Sequence, residues 1–281
     1  MNKSGSKCHI SICIFHRSNK MSEIKASFTP GWVTCKDNMN ITDNQQKVLK
    51  FYLFGTPCSE TSSCGRNMQQ RGWPKDVWKN HELRNYLLAT AKLQAGLTYQ
   101  KADKLEEMSD KATIAKLQNK FQTARECNRV LFYSDCKRVD MLNILYYIRC
   151  ALAHGRFEIY TNQNGCSTYV LEAITKKRGS DDYIVRARMV LRETTLIDWA
   201  ETIMGGSKEF NQRYAGLRQR IGNEIIAVIK SNSTCKKKDI SDILPYEKSL
   251  VFQELNALKS EGRVFYDNSQ KRWRLFEVNT K

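Results

Sequence analysis

Arg149 and His154 stand five positions apart in the stretch Ile148-Arg149-Cys150-Ala151-Leu152-Ala153-His154-Gly155. An imidazole titrates near pH ~6.5 and moves protons at neutral pH. A guanidinium stays charged and holds phosphate oxygens with a planar fork. The pair is therefore a candidate for proton transfer beside a phosphodiester. Five residues along a helix is about 140° of rotation, so the two groups converge only because arginine is long and the histidine sits at a helix end. Cys150 lies four residues before His154 on the same helix face, within reach of the imidazole, as a weak hydrogen-bond partner. Lys137 and Arg138 before this helix and Arg156 after it are further candidates for phosphate contact. The same residues also fit a plainer arrangement: a salt-bridging arginine, a histidine capping the helix C-terminus and a solvated basic surface.

The element that must carry this pair is a helix from about Val139 to Ala153, with Met141, Ile144, Leu145, Ile148 and Leu152 along one face and Gly155 at the stop position. Upstream, Thr42-Asp43 caps a short helix reaching Leu53. Pro74 fits the start of a helix ended by Gly96, and a charged helical pattern runs from about Tyr99 to Phe121. Downstream the period shortens. Phe157 to Thr161 and Tyr169 to Ile174 read as strands joined by a turn at Asn162 to Gly165. Residues Ile184 to Leu191 fit either a strand or a helix start, and Leu196 to Met204 is helical up to a break at Gly205-Gly206.

The Arg149 to Gly155 motif, with its Leu-Ala-His-Gly close and the helical run before it, resembles the HEPN superfamily (higher eukaryotes and prokaryotes nucleotide-binding) over about residues 75–204. The resemblance implies an all-helical bundle and metal-independent endoribonuclease chemistry. In it the RNA 2′-hydroxyl attacks the adjacent phosphate and leaves a 2′,3′-cyclic phosphate, with Arg149 and His154 as the catalytic residues. It also implies a homodimer that brings two motifs together, RNA as partner, and a place in bacterial defence, as a toxin or antiviral effector. One departure concerns Cys150, where the family often has Asn. A thiol orients His154 poorly, which leaves an RNA-binding, non-cleaving role open.

From Leu217 the order is helix, short helix (Ile240 to Leu244), helix (Tyr246 to Lys259) and hairpin (Arg263 to Phe276). This order resembles the winged-helix family over 217–278. The resemblance implies a third helix facing a major groove roughly 12 Å wide and a wing reaching the backbone beside it. Lys248, Ser249, Gln253 and Asn256 fall on the expected outward face. Lys236, Lys237 and Lys238 precede the second helix, and Lys271, Arg272 and Arg274 decorate the wing. Glu247, Glu254 and Glu261 oppose phosphate binding, so a winged helix used for protein contact remains the alternative.

Composition bounds the rest. The 281 residues carry 46 Lys plus Arg against 29 Asp plus Glu, a net charge of +17. Such a field draws in polyanions, nucleic acid first among them. The ten cysteines are scattered, with no Cys-x-x-Cys pair and no apolar leader before them, so the thiols are read as reduced and the location as cytoplasmic. Neither Cys8, His9, Cys13 and His16 nor Cys58 and Cys64 has zinc-site spacing. No apolar run reaches the ~18 residues of a membrane span, and no metal, cofactor or membrane is implied. The expected fold class is mainly α: an N-terminal segment of unclear fold over 1–72, a HEPN-like helical bundle with a small β-hairpin over 73–206, and a C-terminal winged helix-turn-helix over 217–281. The function is then a HEPN-type endoribonuclease or RNA-binding protein. The alternative is a DNA-binding winged-helix regulator with a non-catalytic, dimerising HEPN-like domain.

Overall fold

A five-stranded sheet sets the geometry of the described residues upstream of residue 193. The computed structural model describes residues 28–33, 41–58, 68–79, 81–118, 128–134, 138–177, 179–232 and 235–276. The expectations placed on Cys8, His9, Cys13, His16, Cys64 and Lys137 lie outside them. The strands are β1 (Tyr99–Ala102), β2 (Arg129–Tyr133), β3 (Phe157–Thr161), β4 (Ser167–Lys176) and β5 (Tyr183–Arg192), in the order β1-β2-β5-β4-β3. The β1–β2 pair is parallel and the others antiparallel. Alternation along the strands divides the interior. Val130, Phe132, Tyr169, Leu171, Ala187, Met189 and Leu191 enter the larger core. Leu131, Val170 and Val190 enter a smaller one on the opposite face.

The expected hairpin is present as β3–β4. The Asn162 side chain accepts from the N–H groups of Asn164 (3.0 Å) and Cys166 (2.8 Å), and Gly165 turns the corner at φ 74°. The segment left open between strand and helix is the strand β5. The helix expected over 99–121 is a correction. The chain there forms β1, a 3-10 turn at Leu105–Glu107 and a short helix α3 (Met108–Ala115) that stops at Lys116 in the left-handed region, φ 57°. A four-residue edge strand is too short to show an alternating signature. Its pairing with β2, thirty residues away in sequence, overrides local propensity.

Helices cover the larger core. The Thr42 capping box holds in α1 (Asp43–Lys50): Gln45 N–H donates to Thr42 Oγ1 at 3.2 Å, and Thr42 N–H donates to Gln45 Oε1 at 3.1 Å. A wider π-type turn continues it over Phe51–Gly55. The next helix, α2 (His81–Thr90), starts seven residues after Pro74 and stops short of Gly96, because Pro74 to Lys79 form turns and Lys92 takes φ 52°. The motif helix is α4 (Asp140–Ala153), and the five apolar residues assigned to its inner face are buried.

The last sheet strand runs straight into α5 (Glu193–Ser231), which bends at Gly206 (φ 75°, ψ −177°) as the glycine pair predicted. A β-carbon at Gly206 would lie 2.0 Å from the Arg71 carbonyl oxygen, so only glycine admits this approach. The bend is sharp enough for Arg213 to reach back to Asp198 at 3.3 Å, fifteen residues earlier. Leu217 lies inside the second half of α5, which the chain enters at Ser207. Then come α6 (Lys237–Ile243), α7 (Lys248–Ser260) and the hairpin of β6 (Val264–Asp267) and β7 (Arg272–Leu275), in the expected order. The Trp273 N–H donates to the Cys235 carbonyl at 2.9 Å, which lays the chain before α6 along β7. One apolar cluster runs from α1 through Phe210, Leu217 and Ile221 to Leu250, Val264 and Trp273. About 51% of the described residues are helical, so the fold is mainly α, although its sheet exceeds the hairpin the sequence predicted.

Candidate nucleic-acid interface

Two groups of sequence-predicted residues can be placed. The first is the end of α4. Gly155, at φ 64°, allows the Arg156 N–H to reach the Ala151 carbonyl (2.8 Å) and the Gly155 N–H to reach Leu152 (3.3 Å). These paired bonds are a Schellman close, and they leave His154 as the exposed cap residue. Arg149 is half-buried one and a half turns earlier, on the partly exposed stripe that also carries Leu142, Tyr146, Cys150 and Ala153. The helix thus displays Arg149 and His154 on either flank of that stripe, about 140° apart around the axis.

The polar group that the fold brings to the Cys150 thiol is the Tyr146 hydroxyl, one turn earlier. Burial pushes the thiol above its ordinary range, and the hydrogen bond from Tyr146 and the charges of Arg149 and Arg138 oppose this. The Arg138 guanidinium stacks 4.4 Å over the Tyr146 ring. Arg156, a candidate phosphate contact, lies 3.6 Å from Glu172, whose carboxylate is fully buried.

The second group is the C-terminal unit. Lys248, Ser249, Gln253 and Asn256 are all exposed along α7, as the periodicity required. Lys236, Lys237, Lys238 and Lys271 are exposed, whereas Arg272 and Arg274 are half-buried on the outer face of the hairpin. Arg274 Nε lies 3.2 Å from Asp267. Asp267 also accepts from Ser269 Oγ at 2.6 Å, and that bond, first among its contacts, lowers its carboxyl. One contact is not apparent from charge alone. Lys237 Nζ sits 4.0 Å over the Phe252 ring, a cation–π contact. Phe252 falls between Lys248 and Asn256 at steps of four, a spacing that could have placed it on the outward face.

Of the three glutamates counted against phosphate binding, Glu254 and Glu247 are held by arginines out of full solvent, and Glu261 meets one only at the exposed surface. Glu254 is buried and lies 2.5 Å from Arg218. Glu247 lies 3.5 Å from Arg84, and Glu261 lies 3.6 Å from Arg263. Lys248 meets Asp242 at 2.9 Å, but both are exposed, and an ion pair in water is weak enough to exchange for a phosphate. The outward face of α7 is therefore more positive than its sequence.

Among the described residues, no group of three or more His, Cys, Asp or Glu side chains is placed to hold a metal ion. Among the described cysteines, Cys150, Cys166 and Cys235 are free thiols. Among the described residues, no helix is long and apolar enough to cross a membrane. No protein-family model matches the chain, and no curated protein or solved structure matches it either.

Proposed function

We propose that this protein binds duplex DNA through its C-terminal unit, with α5, α6 and α7 acting as the three helices of a winged helix and β6–β7 as its wing. The observation that carries the reading is the division of charge on α7. Its outward face presents Lys248, Ser249, Gln253 and Asn256, while Glu254 is buried against Arg218 and Glu247 is half-buried beside Arg84. Polar and cationic side chains on a helix can read base edges and phosphates, whereas uncompensated carboxylates in that position would repel the backbone. Lys271 at the tip of the hairpin and Lys236 to Lys238 at the N-terminal end of α6 supply phosphate contacts.

Salt-titrated binding to a mixed-sequence duplex tests this. Each phosphate contact adds about 0.9 to the slope of log K against log salt. Changing Lys248 and Lys271 to Ala together is expected to reduce that slope by nearly two and to weaken binding. Arg149→Ala is expected to leave it unchanged. An unchanged slope in the double variant refutes the reading.

A second reading, the HEPN-type endoribonuclease, is favoured by the exposure of His154 at a closed helix end with Arg149 on the neighbouring flank. There the imidazole moves the proton of the 2′-hydroxyl and the guanidinium takes the charge of the phosphorane. A dimer would bring two such ends to one strand. Incubation of single-stranded RNA in EDTA decides it. Cyclic-phosphate products lost in both His154→Ala and Arg149→Ala support cleavage, and intact RNA with the native chain removes it.

A further inference from the structure

The strongest built polar site in the molecule belongs to neither reading. On the sheet face opposite the large core, Glu172 of β4 and Arg188 of β5 sit directly across the ladder from each other, and both are buried. Arg188 Nε lies 3.1 Å from Glu172 Oε1. A buried ion pair is stable only when its remaining donors and acceptors are also satisfied; an apolar pair would cost less. Here Arg188 Nη1 donates to the carbonyls of Leu117 (3.1 Å) and Gln118 (2.6 Å), and the other satisfying groups come from a segment some 140 residues away. The N–H groups of Gly31 (3.0 Å) and Trp32 (3.3 Å) donate to the Glu172 carboxylate. Arg188 donates to the Thr29 carbonyl at 2.6 Å. Its guanidinium lies between the Phe28 ring (4.3 Å) and the Trp32 ring (5.3 Å).

The segment is shaped for this. Thr29-Pro30-Gly31-Trp32 has proline and glycine where a type II turn places them, and Gly31 has φ 107°. Such a turn aims successive amides at one anion. Phe28, Trp32 and Val33 are buried against the apolar floor that includes Leu131, Val170 and Val190. Glu172 has one more partner, Arg156, at 3.6 Å, and the Glu172 N–H donates to the Arg156 carbonyl at 3.0 Å. Arg156 is the residue whose N–H closes α4 beyond His154.

We propose that this face is a peptide-binding groove for an aromatic-Thr-Pro-Gly-aromatic turn, filled by the chain's own residues 28–33 as a releasable strap, and that Glu172 transmits its occupancy to Arg156 at the end of α4. The proposal is independent of either reading of nucleic-acid function. Hydrogen exchange on the full native chain is the first test. The Gly31 and Trp32 amides are expected to exchange at least tenfold faster than the paired amides of Leu171 and Met189, through local opening of the strap. Equal rates, following global unfolding, overturn a releasable strap.

The second test uses the full chain with Phe28→Ala and Trp32→Ala, and the capped peptide Phe-Thr-Pro-Gly-Trp-Val as probe. The peptide is expected to bind this variant at least tenfold more tightly than the native chain, whose groove is filled. Saturating peptide is expected to return the Arg156 amide from faster exchange to its native rate. A folded variant that does not bind, or whose Arg156 amide is indifferent to the strap, overturns the groove or the coupling respectively. If the double variant does not fold, the native-chain exchange rates decide the matter alone.

Discussion

Replacing Gly206 by alanine tests the idea that the bend in α5 depends on an absent side chain. Its φ of 75° and ψ of −177° lie in a region essentially reserved for glycine. Holding another residue there costs about 1–3 kcal/mol. The added β-carbon would also meet the Arg71 carbonyl oxygen at 2.0 Å, against backbone that cannot rotate away. Relief requires moving the turn at Arg71 and Gly72. That turn anchors Ser207 Oγ to the Gly72 carbonyl at 2.7 Å and leads into Trp73, whose indole donates to the Ile203 carbonyl at 2.8 Å. Losing two such bonds adds about 1 kcal/mol each. The total is about 3–5 kcal/mol, which for a chain of this size lowers Tm by roughly 10 °C. Gly216 in the same helix is the control. It is exposed, and a β-carbon there meets nothing within 4 Å, so Gly216→Ala is expected to stabilise by about 0.5–1 kcal/mol. Thermal unfolding followed by circular dichroism reads both. A Gly206→Ala protein melting within a degree of the native one, or both variants moving in the same direction, refutes the argument.

Three further outcomes are expected. Glu254→Ala removes a buried carboxylate from Arg218, and because Arg218 is partly solvated the cost is at the low end, about 1–2 kcal/mol, measured by urea unfolding. In site-resolved alkylation near neutral pH, Cys166, which is exposed, is labelled before Cys150, whose thiol is pushed up by burial; Cys58 and Cys235 are labelled only as the chain unfolds, and early labelling of Cys150 contradicts this. Burial also raises the Asp198 carboxyl, so the folded state holds that proton more tightly than the unfolded one. Its stabilising contribution is present below the unfolded pKa of about 3.9 and is lost as pH rises through the folded value. The Tm of Asp198→Asn relative to native should therefore climb between pH 4 and pH 7, and a flat or falling difference counts against it.

What the sequence made legible was local chemistry. Thr42 and Gln45 cap a helix three residues apart, Gly155 closes one within two residues of His154, and Asn162 to Gly165 form a turn within four. The outward residues of α7 followed from a period of 3.6 alone. The sheet was not legible, because β1 pairs with β2 across a charged insertion and β2 with β5 across sixty residues. The position of Arg156 was lost for the same reason. Its partner Glu172 belongs to a different strand, and only the β4–β5 register puts Arg188 opposite that glutamate. Sequence analysis likewise counted Glu254 as repulsive, because its pairing with Arg218 spans two helices.

The fold uses its two basic residue types for different purposes, and this bears on how each can be tested. Arginines are drawn to fixed carboxylates: Arg188 and Arg156 to Glu172, Arg213 to Asp198, Glu201 and Glu209, Arg84 to Glu247, and Arg218 to Glu254. A planar fork fits a carboxylate with less rotamer freedom lost per bond, so it is the better choice for a fixed contact. Lysines cluster instead at exposed positions, among them Lys236 to Lys238, Lys248 and Lys271 around the C-terminal unit. These compact charges on flexible stems make up the field that a polyanion meets first. It follows that substitutions in this lysine set should act on salt dependence with little change in melting. Substitutions in the paired arginines should do the reverse, so an effect on binding from either set can be assigned to contact or to folding by measuring both.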